Sequence, residues 1–387
     1  MKHQRQVELL RQCLDYIDMK TTQHEEEEYL SPVYKYHDQE YFEQELEAVF
    51  KRMPNMVAHV SEIELGNGFI TRDLHGISVI IARQNDGCDD SSFKAMLNVC
   101  KHRGARLEGA ESGCKNRFVC PYHGWMFNNK GELKGVPHQE GFPKLIKSDS
   151  GLNELSLWVR NGFIFVLPNT DVEFDFDKFW APIAEDLNDY NIEDMMVYRP
   201  VTKTWNSNWK IVSGGGLESY HFQVTHAKTI APYFFSNTSY LEDFGPHFRL
   251  ILPRQSINKL REQDQSEWQI RDHTHMVYQL FPNVALLVQE DHIAMFIMRP
   301  VSPSEVEITF QMLIPKDGFA QREQAHWDRN HQITEMTLEE DFEMGESIQS
   351  GILSGANQHL RFGLSEWGLA RLEQFIDQAI AGQPPGQ

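Results

Sequence analysis

Two short clips, Cys100-x-His102 and Cys120-x-x-His123, constrain this chain more than any other feature. They lie seventeen residues apart in NVCKHRGARLEGAESGCKNRFVCPYHGW, residues 98–125. Two thiolates and two imidazoles make a four-ligand metal site. Zinc accepts that set, although zinc patterns usually put both Cys in one clip and both His in the other. One Cys and one His in each clip suits a two-iron cluster in which one iron takes both thiolates and the other both imidazoles. Imidazole in place of thiolate removes negative charge, so such a cluster accepts an electron more readily than an all-Cys one. Gly104, Pro121 and Gly124 allow tight loops that turn backbone N–H groups towards cluster sulfurs.

The rest of the chain bounds where such a site can work. Its 387 residues allow two or three domains with ample core. A formal charge of −20 argues against nucleic acid or an anionic membrane as partner. No apolar run is long enough to span a membrane. The charged start MKHQRQVELLRQCLDYI lacks the apolar core of a signal peptide. Cys13, Cys88 and Cys114 form an odd remainder without framework spacing, which points to a reducing, cytoplasmic setting. Cys114, between the clips, reads as a free thiol.

Val7, Leu10, Leu14 and Ile17 fall at helical spacing, so residues 1–20 read as an amphipathic helix. Glu25–Glu28 reads as a solvated charge run. Asp38 caps a second helix reaching about Arg52. From Asn55 to Pro168 short strand-like runs alternate with Gly and Asn turns, indicating a small antiparallel β domain that carries both clips on loops. A linker and helix cover 171–199. Beyond Thr202, strand candidates at His275–Phe281, Val284–Gln289, Ile293–Arg299 and Val306–Ile314 precede helices at about 322–352 and 366–380, an α+β pattern.

A second site lies in NSNWKIVSGGGLESYHFQVTH. His221 and His226, with a distant carboxylate, suit the two-His, one-carboxylate facial triad of mononuclear non-haem Fe(II). Asp341 on the long predicted helix is the choice for the third ligand, with Glu339 and Glu340 as competitors.

CKHRGARL, CPYHGW, NWK (208–210), LESYH, FPN (281–283) and the ED and ESIQSG around Asp341 together resemble the large (alpha) subunit of Rieske non-haem iron oxygenases. The resemblance runs from about Tyr34 to about Ile380 and covers the aromatic ring-hydroxylating and carnitine–betaine monooxygenase branches. It implies that Cys100, His102, Cys120 and His123 hold a Rieske [2Fe-2S] cluster, and that His221, His226 and Asp341 hold the mononuclear iron. It implies that Glu218 bridges the two centres by hydrogen bonding to His123 of a neighbouring subunit. The fold implied is an antiparallel β Rieske domain (55–168) and a helix-grip, START-like catalytic domain (169–387), with helices of 1–54 packing on the latter. The assembly implied is a head-to-tail homotrimer, with a possible beta subunit. A separate NAD(P)H reductase or ferredoxin supplies electrons, and an aromatic compound or other small organic molecule is hydroxylated with O2. Glu218 stands where most ring-hydroxylating members carry Asp, and resembles the branch that oxidises carnitine and betaines. Gly214-Gly215-Gly216 also departs from the family pattern and suits room for a substrate. Phe222, Tyr233, Phe234, Phe235, Met295 and Trp205 are expected pocket walls.

Overall fold

In a computed structural model of the chain, which describes residues 1–383, the runs GFITRDL and ISVIIAR form an antiparallel hairpin, Gly68–Leu74 with Ile77–Arg83. His75 and Gly76 make its turn with φ of 56° and 86°, the backbone that two-residue hairpins demand. Ser112–Cys114, Phe93–Leu97 and Glu154–Leu155 complete a five-stranded sheet. Leu157–Arg160, Phe163–Val166 and Asn55–His59 make a three-stranded one, and Val57, Ile70, Ile81, Ala95 and Ile164 form a core common to both. A second core gathers Phe69, Phe118, Trp125 and Phe127 around Cys100 and Cys120. These elements belong to one compact unit, residues 50–176 with 191–196.

The other unit comprises residues 1–49, 177–190 and the chain from 197 onward. Its centre is a seven-stranded sheet. The strands run in the order Met195–Trp205, Glu305–Pro315, Ile293–Ser302, Val284–Val288, Thr274–Leu280, His247–Pro253 and Tyr240–Phe244. The first and the last two of these strands were not among the sequence expectations; the other four match within a few residues. The long helix Gln324–Leu353 and the helix Trp367–Ile380 follow the sheet, giving the antiparallel helix-grip arrangement. The N-terminal segment belongs here too. Helix His3–Met19 buries Leu9, Leu10, Cys13 and Leu14, and Tyr29–Pro32 pairs antiparallel with His359–Phe362. The Asp38 carboxylate accepts the Tyr41 N–H at 2.8 Å and caps Gln39–Glu45.

His247 sits wholly inside this unit. Its Nδ1 accepts the Phe281 N–H at 3.2 Å and its Nε2 donates to the Phe179 carbonyl at 3.1 Å. Burial pushes its pKa down to about 4, so the folded chain keeps the ring neutral. Below the unfolded-state value near 6.5 the unfolded chain takes up a proton that the folded one refuses. The stabilisation is therefore complete above about pH 6.5 and is lost as pH falls towards 4, at roughly 1.4 kcal/mol per pH unit. Denaturant titrations across that window should show this slope, and His247→Gln should reduce it. An equal slope in the variant would contradict the buried neutral ring.

Candidate metal centres

The two clips are built alike. Cys100 N donates to Ala105 O at 2.8 Å and Gly104 N to Cys100 O at 3.0 Å. Cys120 N donates to Trp125 O at 2.8 Å and Gly124 N to Cys120 O at 3.0 Å. Both glycines take positive φ, 75° and 70°, which a side chain would resist. Each loop closes a β-bridge, Val99 with Arg106 and Val119 with Met126. The loops turn backbone N–H groups of His102 and Arg103 onto the Cys100 sulfur, and those of Tyr122 and His123 onto the Cys120 sulfur. Burial opposes charge on both thiols. At Cys120 the N–H groups and a hydrogen bond with the Cys100 thiol outweigh it and the thiol sits below its usual range; the same bond keeps Cys100 above.

The imidazoles differ. His102 stacks on Trp125 at 4.9 Å with 6° between planes and meets the edge of Phe142 at 5.5 Å. Its Nδ1 is buried and has no hydrogen-bond partner, a costly state unless a metal takes the lone pair. The His123 ring lies 4.7 Å from it and is exposed. The donor set and the orphaned Nδ1 fit a two-iron cluster.

The second group converges. Donor atoms of His221, His226 and Asp341 all lie within 4.8 Å of one another. His226 Nε2 is 3.0 Å and His221 Nε2 3.5 Å from Asp341 Oδ1. Phe222–Thr225 is a single helical turn, which puts His221 and His226 at its two ends. Asp341 comes from the long helix, where Asn330, Thr334, Thr337, Asp341 and Gly345 share one cavity-facing stripe at helical spacing. The competing carboxylates lie off that stripe. Glu339 pairs with Lys203 at 2.6 Å. Glu340 accepts from His226 Nδ1 at 2.8 Å and from Thr229 Oγ1 at 2.7 Å.

Glu218 does for His221 what Glu340 does for His226. Its Oε1 holds His221 Nδ1, and its Oε2 accepts the backbone N–H groups of Tyr220 and His221. Each ring thus keeps its Nδ1 proton on a carboxylate and turns Nε2 towards Asp341, the usual support for a metal-binding imidazole. Burial pushes the His226 pKa down, but Asp341 and Glu340 outweigh it and leave it raised. Three acidic neighbours around two imidazoles favour a bound cation. Glu340 as the support of His226 was missed from sequence, where it stood only as a rival ligand.

The triad opens into a cavity of about 740 Å³. Phe222, Tyr233 and Phe234 line it as expected, whereas Phe235, Met295 and Trp205 do not. Strand parity explains Met295: on Ile293–Ser302 the cavity-facing residues are Phe296 and Met298, and a neighbour on a strand points the other way. Trp205 instead packs on Phe342 at 5.1 Å. Gly214, Gly215 and Gly216 all line the cavity, and a Cβ at Gly215 would meet nothing within 4 Å.

Residues 191–382 match the family described as ring hydroxylating alpha subunit (catalytic domain), and residues 53–148 match the Rieske [2Fe-2S] domain. The carnitine monooxygenase oxygenase subunit of Escherichia coli (strain K12) is 32% identical over 204 residues, 52% of this chain and 53% of that protein. The large oxygenase component of the naphthalene 1,2-dioxygenase system of Pseudomonas putida is 33% identical over 207 residues, 50% of this chain and 43% of that protein. The chain thus spans about half the length of the curated relatives it matches. Two solved structures share the fold. A quaternary ammonium Rieske monooxygenase in complex with L-carnitine has a TM-score of 0.76 at 23% identity, covering 90% of this chain and 95% of that one. Naphthalene 1,2-dioxygenase from Rhodococcus sp. bound to indole has 0.76 at 18%, covering 98% and 99%.

Proposed function

Because the chain belongs to the ring-hydroxylating alpha subunits that carry a Rieske [2Fe-2S] domain, we propose that it is the terminal oxygenase of a multicomponent system. It takes electrons from an NAD(P)H-dependent reductase or a ferredoxin and uses O2 to hydroxylate an organic substrate. The observation that carries this reading is the convergence of His221, His226 and Asp341 in the wall of a largely apolar cavity. Iron(II) bound by those three would supply O2 activation, and the cluster bound by Cys100, His102, Cys120 and His123 would supply single electrons.

The remaining work falls to side chains. Glu218 and Glu340 accept from the Nδ1 atoms of His221 and His226 and so fix both rings in orientation, with Nε2 turned towards Asp341. The apolar walls exclude water and orient the substrate. An aromatic compound is the first reading of that substrate, in keeping with Phe222, Phe234 and Phe296 in the walls. A quaternary ammonium compound is the second, favoured by Glu218 in place of Asp and by the carnitine monooxygenase relatives.

A homotrimer, with or without a beta subunit, completes the proposal, with Glu218 facing His123 of the partner subunit. Exposure of His123, in contrast to the packed His102, supports that contact. Glu218→Gln is then expected to retain both metal centres while product per turnover falls roughly 10–100-fold. Metal analysis beside a product assay reads both. Loss of the mononuclear iron in this variant would reduce Glu218 to a support for His221 alone. The reading as a whole is tested by a single-turnover assay: reduce the protein, add O2 with aromatic acids, arenes, betaines and carnitine, and analyse products by mass. A hydroxylated product, or formaldehyde from an N-methyl amine, is expected. No product despite full iron loading and a reduced cluster would count against an oxygenase acting on these compounds.

A further inference from the structure

Several buried cations of this chain sit against carboxylates, although Arg83, 2% exposed, is held by backbone carbonyls instead. Arg249, 1% exposed, is held between Asp186 and Glu242. Lys210 sits against Glu45 at 2.5 Å. Three Lys and Arg side chains line the cavity, and two of them have carboxylate partners: buried Lys210 has Glu45, and exposed Arg361 has Glu28. Arg254 does not. Among the described residues no carboxylate lies within ion-pair distance of it, and its one side-chain hydrogen bond runs from Nη2 to Gln289 Oε1 at 2.9 Å. Burial lowers its pKa, offset only in part by the more distant Glu290 and Asp272, which are exposed. A half-buried guanidinium with open donors and no counter-charge is costly to keep and well shaped to receive a carboxylate.

Its position is defined by the sheet. Leu252 pairs with His275, and the Arg254 N–H continues to the His273 carbonyl, so by alternation Arg254 shares the cavity face with His275, Val277 and Gln279. On the neighbouring strands Leu287 lies beside Val277, and Ala285 beside both Gln279 and Phe296. The middle of this wall is apolar; Arg254, His275, Gln289 and His292 form its polar end. Ring contacts lead there from the triad: His226 to Phe222 at 5.3 Å, Phe222 to Phe234 at 5.7 Å, Phe234 to His275 at 6.0 Å. Of the four acidic cavity residues, Glu218 and Asp341 lie at the triad and Glu373 pairs with Lys35, so the triad end is acidic.

We propose that the substrate is an organic carboxylate, its anionic group received by Arg254 with Gln289, and its apolar part lying along Phe234 and Phe222 towards His221, His226 and Asp341. This rests on the oxygenase reading for what happens at the triad, but the carboxylate subsite stands on Arg254. Both an aromatic acid and a trimethylamino acid carry the required group.

Calorimetric titration of the holoenzyme with matched pairs tests it: 4-phenylbutyrate against its amide, and γ-butyrobetaine against its methyl ester. In the wild type one acid should bind about tenfold or more tightly than its amide or ester partner, and the pair that shows this identifies the source of the carboxylate. Arg254→Gln should erase the preference and Arg254→Lys retain part of it. Without ligand, Arg254→Gln should melt at the wild-type temperature or above, because no native ion pair is lost; a structural Arg would melt lower. Equal binding of the acids and their amide or ester partners, failure of both acids to bind at millimolar concentration, or a preference that survives Arg254→Gln overturns the proposal. Product analysis on the same samples separates the two readings. Hydroxylation of neutral arenes without acid preference leaves the oxygenase standing and removes the carboxylate subsite. Arg254-dependent acid binding without any product does the reverse.

Discussion

Asp341→Ala is expected to strip the mononuclear iron and take single-turnover product to background, while the visible spectrum of the cluster remains. The reason lies in how the three donors are held. His221 and His226 sit at the ends of one helical turn with their Nδ1 atoms already committed to Glu218 and Glu340. Their Nε2 atoms have one protein partner in common, the Asp341 carboxylate, at 3.5 and 3.0 Å. Removing it leaves two neutral imidazoles and no charge in the first coordination sphere. Loss of an outer-shell partner typically costs roughly 10–100-fold in metal affinity or activity, and loss of a direct anionic ligand must cost more. Glu340→Gln provides the graded comparison: the Nδ1 of His226 keeps an acceptor without charge, so iron affinity should fall within that outer-shell range. Glu339→Ala, which loses only the pairing with Lys203, should leave iron unchanged. Iron content by metal analysis, set against cluster absorbance, measures all three. Retention of iron by Asp341→Ala together with loss in Glu339→Ala would reassign the third ligand.

The clips and the imidazoles were legible because their chemistry is local. Four candidate metal ligands fall within 24 residues, and His221 and His226 are five apart. Asp341 is 115 residues further on, with Glu339 and Glu340 as competitors beside it; the helix separates them, because consecutive residues are turned about 100° apart. Strand reading failed where charge masks burial. YLEDF and HFRLILP look unlike a core hairpin because Glu242 and Arg249 are charged, yet Arg249 is buried against Glu242 and Asp186. MMVYRPVTKTW straddles the end of the expected linker and helix at 171–199 and carries Pro200. It is an edge strand of the seven-stranded sheet, where proline is tolerated. Arg254 gave no local signal; it stands out only because it lines the cavity while, among the described residues, no carboxylate lies within ion-pair distance of it.

Lys210→Met carries the largest stability effect expected, about 3–5 kcal/mol of destabilisation. The NWK run leads into the triad and was read for its resemblance; its physical role is anchorage. Asn208 caps the helix Trp209–Gly215 by accepting the Lys210 N–H at 3.0 Å, and its Nδ2 donates to Pro303 O at 2.7 Å. Trp209 Nε1 donates to Glu45 Oε2 at 3.0 Å, and Lys210 Nζ reaches Glu45 Oε1 at 2.5 Å. Glu45 is 0% and Lys210 3% exposed, and the Lys210 ammonium lies 5.0 Å from the centre of the Tyr36 ring. Burial drives Lys210 down and Glu45 up, each towards neutrality, and their mutual attraction opposes both shifts. Deleting the lysine leaves the Glu45 carboxyl buried with only Trp209 beside it, so it must take up a proton or remain as an unpaired charge. The double replacement Lys210→Met with Glu45→Leu removes both costs and should recover most of the loss, since a well-packed apolar pair is often as stable as a buried ion pair. Denaturant unfolding of the two singles and the double closes the cycle. Additive losses in the double would mean that Lys210 and Glu45 act independently, and that the helix leading into the triad is held by Asn208 and Trp209 without them.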